Sequence, residues 1–104
     1  MEKRDFIGKE DFTFDEFAEL VRVLRAPDGC PWDRAQTHRS IRNNFIEETY
    51  EAVEGIDRDD PSILREELGD VMLQVLLHAA MEEESGNFSI GDVINDICRK
   101  LVFR

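Results

Sequence analysis

The chain has 104 residues, 41% apolar and 36% charged, with a net charge of −11. One domain is the expectation at this length, and its apolar content excludes a disordered chain: roughly two-thirds of the unfolded surface can be buried. The acidic balance excludes a broad nucleic-acid backbone partner, which needs a basic face, and suits cation binding or an ordinary acidic domain.

Residues 1–12, "MEKRDFIGKEDF", are polar and mixed in charge. They read as a loose lead-in and not as a signal or transit peptide. Thr13 stands three residues before Glu16, the spacing of a capping box, and Phe14, Phe17, Leu20, Val21 and Leu24 follow at helical period. The first helix is therefore expected over 13–25, stopped by Pro27 and Gly29. The next dozen residues, "PDGCPWDRAQTH", hold two of the three prolines and the only tryptophan. They read as a loop of the length that often carries function. A second helix is expected over 40–56, with Ile41, Phe45, Thr49, Ala52 and Ile56 as its stripe. "DRDDP" ends it, and Asp60 with Pro61 opens a third helix to about residue 85, where Gly86 ends it. Ser89, with Asp92 three residues on, opens a fourth that reaches the last residue. No strand pattern competes, so the fold class is all-α, with the second and third helices as an antiparallel hairpin in a four-helix core. The closing "LVFR" is apolar for a tail. A truncated domain, or a helix covered by a partner chain, would look like this.

The third helix raises a chemical question. Leu64, Leu68, Val71, Met72, Val75 and Ala79 form its main apolar stripe, and Leu73 and Leu77 lie beyond a polar sector of Glu67, Asp70, Gln74 and His78. A helix apolar nearly all round is buried, so Glu67 and Asp70 are expected to be enclosed. On the second helix Glu48 and Glu51 are also three apart and share a face with Asn44 and Gly55, while Glu47 and Glu54 point further out. With the hairpin folded at Asp59, Glu51 lies eight residues before and Glu67 eight after; Glu48 and Asp70 lie eleven on either side. Equal arms bring four carboxylates together. Two like charges at about 4 Å cost roughly 4 kcal/mol at an effective dielectric near 20, so protons or cations must resolve the cluster. All-oxygen ligands select Mg²⁺ or Mn²⁺ over zinc or copper. Di-iron bundles use Glu-x-x-His, whereas the pairs here are Glu-x-x-Glu and Glu-x-x-Asp. Mg²⁺ held by carboxylates takes substrate phosphates as further ligands, which points to phosphoryl or pyrophosphoryl chemistry, with Glu47 or Glu66 to orient a water.

"GCPWDRAQTHRSI", then "EETYE", then "EELGDV" resemble, together and in order, the MazG-type nucleoside triphosphate pyrophosphohydrolases. The similarity runs from about Phe14 to Phe103. The resemblance implies an all-α fold, dimeric or tetrameric, with a four-helix core per active site. It also implies Mg²⁺-dependent hydrolysis of a nucleoside triphosphate at the α–β bond, giving monophosphate and pyrophosphate. On that pattern Glu48, Glu51, Glu67 and Asp70 match the metal ligands. Asn44 and Glu66 fall at positions that line the nucleotide, and Arg99 and Lys100 fall in a segment that meets phosphates. Many members continue into a further His-Pro segment, so the domain, set at 13–104, is either cut short at Arg104 or a form without that segment. A non-catalytic helical module with a structural metal, or a phosphatase releasing orthophosphate, are the rival readings.

Other residues have two readings each. Trp32 either stacks on a base or plugs its loop onto the core. His38 is a phosphate contact or a surface group, and His78 a satisfied core histidine or a ligand. Arg39 and Arg42 balance the acidic cluster or bind phosphate. Cys30 and Cys98 follow no metal spacing and read as inert reduced thiols of a cytoplasmic protein. No apolar run approaches the roughly 18 residues that a membrane span needs.

Overall fold

The computed structural model describes residues 2–104. Among these residues the chain is helical and has no strand. A 3-10 turn, Lys3–Phe6, precedes α1 (Phe14–Arg25), α2 (Pro31–Ala35), α3 (Arg42–Asp57), α4 (Pro61–Glu84) and α5 (Ile90–Phe103). The chain forms two compact units. One is Gln36–His78; the other combines the residues up to Ala35 with Ala79–Arg104, so α4 contributes to both.

In Gln36–His78, α3 and the first part of α4 form the expected antiparallel hairpin. Three rungs fix its direction. Phe45 stacks on His78 with ring centroids 5.4 Å apart, Glu48 meets Glu67 and Asp70, and Gly55 lies against Leu64. The turn is built from local hydrogen bonds. Arg58 N–H donates to the Glu54 carbonyl at 2.9 Å and Asp60 N–H to the Gly55 carbonyl at 3.0 Å. Between them Asp59 takes a left-handed φ of 51°, which a short polar side chain tolerates better than most. Asp60 then caps α4, its Oδ1 accepting from the N–H groups of Ser62 (3.0 Å) and Ile63 (3.2 Å). Pro61 follows at the first helical position, where no N–H is needed. Gly55 marks the closest approach: a Cβ there would stand 2.9 Å from the backbone nitrogen of Leu64.

The expected stripes are buried only in part. Ile41, Ala52, Leu77 and Ala79 are buried, but Ile56, Leu68 and Met72 are 58%, 50% and 40% exposed. Two helices cannot enclose one that is apolar nearly all round, so the early turns of α4 keep an uncovered apolar side.

In the other unit, Thr13 and Glu16 make the reciprocal capping box of α1, at 3.2 and 3.0 Å. α1 buries Ala18, Val21 and Val23, and Phe6 in the preceding 3-10 turn is buried too. The stretch expected as a plain loop contains α2, held against the end of α1. Cys30 N–H donates to the Leu24 carbonyl at 2.8 Å. A Cβ on Gly29 would overlap the Val23 carbonyl oxygen and stand 2.5 Å from that of Leu24. Arg25 completes the join. Its Nε and Nη2 donate to the two carboxylate oxygens of Glu84 at 2.7 and 3.0 Å, and its Nη1 donates to the Asp33 carbonyl at 2.7 Å. α4 ends at Gly86, with φ +77°. Ser89 and Asp92 cap α5 reciprocally, at 3.3 and 2.9 Å. Beyond Ile90, α5 leaves Val93, Ile94, Ile97 and Leu101 exposed.

Three glycines should therefore respond with different signs. Gly55→Ala gains up to about 1 kcal/mol of helix propensity but meets α4 backbone, an overpacking cost of about 1–3 kcal/mol. Thermal melts should show net destabilisation, and Gly29→Ala should lose more. Gly69→Ala meets nothing within 4 Å and should raise the melting temperature by a few degrees.

Candidate metal centre

The hairpin register places α3 and α4 carboxylates at one point. Glu48, Glu67 and Asp70 each offer an oxygen, all within 4.8 Å of one another, and all three residues are half-buried. Glu67 and Asp70 share a face because they are three apart on α4, and Glu48 reaches them across the groove. Glu48 Oε2 and Glu67 Oε2 are buried without a hydrogen-bond partner. Buried polar atoms are ordinarily paired, so orphaned carboxylate oxygens facing a shared space mark a missing positive partner. Mg–O bonds of about 2.0–2.1 Å put two ligand oxygens roughly 2.9–4.2 Å apart. The cluster, held within 4.8 Å, lies close to that span, and its donors are all hard oxygens.

The electrostatics agree with the geometry. Glu67 rises from an ordinary 4.5 to about 7, first through loss of hydration and then through the Glu51, Glu48 and Asp70 carboxylates around it. Glu48 also rises, through loss of hydration and then the charges of Glu51 and Asp70. Glu51 is exposed and outside the group of three, yet it acts on both.

The other expected site residues stand as follows. Asn44, one turn before Glu48 on α3, is exposed, as are Glu47 and Glu66. Trp32 on α2 is 60% exposed, and Arg99 and Lys100 on α5 are exposed; these three belong to the other unit. The polar sector of α4 continues past Asp70 with two further orphaned atoms, Gln74 Oε1 and His78 Nε2. His78 is thus only half satisfied: its Nδ1 lies 2.6 Å from that of His38, with the two rings parallel at 4.9 Å. Sequence reasoning saw the sector but not this pairing, which joins residues 40 apart.

Fold and cluster together define a class: an all-α protein whose helical hairpin carries a carboxylate site of cation-binding form. Within that class, residues 36–104 match the MazG nucleotide pyrophosphohydrolase domain. The chain is 53% identical over 91 residues to the uncharacterized protein YabN of Bacillus subtilis, covering 88% of this chain and 19% of that protein. It is 47% identical over 91 residues to the nucleoside triphosphate pyrophosphohydrolase/pyrophosphatase MazG of Thermotoga maritima, covering 88% and 36%. Against the nucleoside triphosphate pyrophosphohydrolase of Escherichia coli K12 it is 42% identical over 88 residues, covering 84% and 34%. The chain belongs to the MazG family, and it spans about a fifth to about a third of the length of these curated relatives.

A pH dependence follows from the raised carboxyls. Between 4.5 and about 7 the folded chain holds a proton on Glu67 that the unfolded chain has released. Metal-free stability should therefore fall as pH rises through that window. Melts in EDTA at pH 5 and pH 7.5 should show it, and Glu67→Gln should flatten the difference. Added Mg²⁺ should stabilise the wild type more at pH 7.5 than at pH 5, because binding must displace the proton at the lower pH.

Proposed function

We propose that this chain is the catalytic domain, at residues 13–104, of a nucleoside triphosphate pyrophosphohydrolase. It would use Mg²⁺, with Mn²⁺ as a substitute, and cut between the α- and β-phosphates to give a nucleoside monophosphate and pyrophosphate. The observation that carries the reading is the convergence of Glu48, Glu67 and Asp70 with two orphaned buried oxygens, in a chain of this family. The names of the Thermotoga and Escherichia coli relatives support the same reaction class.

Glu48, Glu51, Glu67 and Asp70 would hold the ion, which when bound supplies positive charge to phosphate oxygens and acidifies nearby water. Glu47 or Glu66, the sequence neighbours of Glu48 and Glu67, would orient the attacking water and take its proton. Asn44 would hydrogen-bond the nucleoside, Trp32 stack on the base, and Arg99 and Lys100 hold the phosphate tail. A homodimer or homotetramer would cover the apolar face of α5, where Val93, Ile94, Ile97 and Leu101 are exposed. The setting would be cytoplasmic, with no nucleic-acid polymer and no membrane as partner; among the described residues no helix is long and apolar enough to cross one.

The test is a panel of nucleoside triphosphates with Mg²⁺, with monophosphate, pyrophosphate and orthophosphate assayed separately. Pyrophosphate should appear in step with monophosphate. Glu48→Gln and Asp70→Asn should each reduce its release by more than the roughly 10–100-fold that loss of an outer-shell metal partner causes, with folding intact by circular dichroism. Orthophosphate as the sole product would make the chain a phosphatase. A folded wild type that binds Mg²⁺ but cleaves none of the panel would make it a non-catalytic helical module.

A further inference from the structure

A second cleft lies on the other side of α3. At 100° per residue, Asn44, Glu48, Glu51 and Gly55 share one face of this helix; Ile46, Thr49, Tyr50 and Val53 lie nearly opposite, with Phe45 at the edge between. That opposite face floors a cleft of about 910 Å³, within the size range of small-molecule sites. Its floor is apolar and aromatic, from Phe45, Ile46, Tyr50 and Val53; its rim carries Arg39, Arg42, His38 and His78.

The charge of this cleft is out of keeping with the chain. Of 24 Asp and Glu residues, none lines it. Among the described residues neither Arg39 nor Arg42 has a carboxylate partner; Arg42 Nη1 makes only a 3.4 Å approach to Asn43 Oδ1. Guanidinium groups without carboxylate partners are a ready fork for a phosphate. His38 and His78 stack in parallel at the same rim, and His78 Nε2 is buried with no partner, a polar atom still to be satisfied. An apolar aromatic floor under a cationic rim complements a flat, apolar body with an anionic head.

We propose that this cleft binds a phosphate ester of a planar aromatic or heteroaromatic group, at a site separate from the carboxylate centre. The phosphate sits between Arg39 and Arg42, and the ring lies along α3 over Ile46, Tyr50 and Val53. Neither contact uses the metal ligands, so the site does not depend on the proposed catalysis.

The test is a titration of the isotope-labelled protein, followed by amide and histidine-ring NMR shifts, with EDTA throughout. The probes are phenyl phosphate, adenosine monophosphate, inorganic phosphate and adenosine. The two esters should give saturable shifts at Thr49, Tyr50, Val53 and His78, while inorganic phosphate and adenosine, each with half of the recognised chemistry, bind about tenfold or more weaker. Tighter binding of adenosine monophosphate than of phenyl phosphate would identify the source as a nucleotide; the reverse order would identify a simpler aryl ester. The double variant Arg39→Gln/Arg42→Gln, altered only at exposed positions, should keep its melting temperature and lose ester binding about tenfold or more. The proposal is overturned if the esters give no saturable shifts, if the double variant binds them as well as the wild type, or if the shifts fall at Glu48, Glu67 and Asp70 instead. Shifts of the cleft amides on dilution without ligand would also overturn it, because a second copy would then fill the cleft.

Discussion

Three carboxylates held within 4.8 Å set the terms for the rest of the hairpin. Left in water, such groups would separate; here the register holds them. The Asp59–Asp60 turn fixes the arm lengths, and the contact of Gly55 with Leu64 brings the helices close enough for Glu48 to reach across to α4. The raised carboxyl of Glu67 and the orphaned oxygens are the energetic trace of that constraint. An arrangement that is strained without a cation and relieved by one converts binding energy into local order.

Much of the helical plan was legible because its signals are local. Thr13 and Glu16, Asp60 and Pro61, Gly86, and Ser89 with Asp92 each announce a helix end through the backbone groups left unpaired there. Once the turn is placed, equal arm lengths pair Glu48 with Asp70 by counting. What escaped sequence reasoning depends on contacts distant along the chain. α2 forms where Gly29 and Cys30 settle against the last carbonyls of α1, and nothing in "PDGCPWDRAQTH" says that α1 will be there. The exposure of Leu68 and Met72 follows from how many neighbours α4 has, which periodicity does not report. The chemistry at the carboxylates could be reasoned from charge alone as far as a divalent ion; the α–β bond came only with the family resemblance.

Arg25 illustrates a long-range contact with no local signal. Its side chain is only 7% exposed, a position an arginine occupies only when its donors are met. Glu84 and the Asp33 carbonyl meet them, tying α1, the end of α4 and α2 at one residue. Breaking such a pair leaves a buried charge unpaired, which costs more than the pair contributes. The clamp also fixes the short helix that carries Trp32. A five-residue helix has little stability of its own, so the placement of the only tryptophan depends on this arginine.

α3 presents opposite chemistry on its two sides: carboxylates on one, and on the other an arginine-rimmed apolar cleft that His78 of α4 also lines. The two faces are separated by a helix about 10–12 Å across. At about 10 Å a pair of unit charges interacts by roughly 0.4 kcal/mol in a water-like dielectric, and salt screens beyond about 8 Å at physiological strength. Arg39 and Arg42 therefore do little to relieve the crowding of Glu48, Glu67 and Asp70, and the acidic face does little to repel an anion from the cleft. The electrostatic neutralisation that the carboxylates require must come from something that enters their own groove. The arginines, having no such task, are left to serve the face on which they stand.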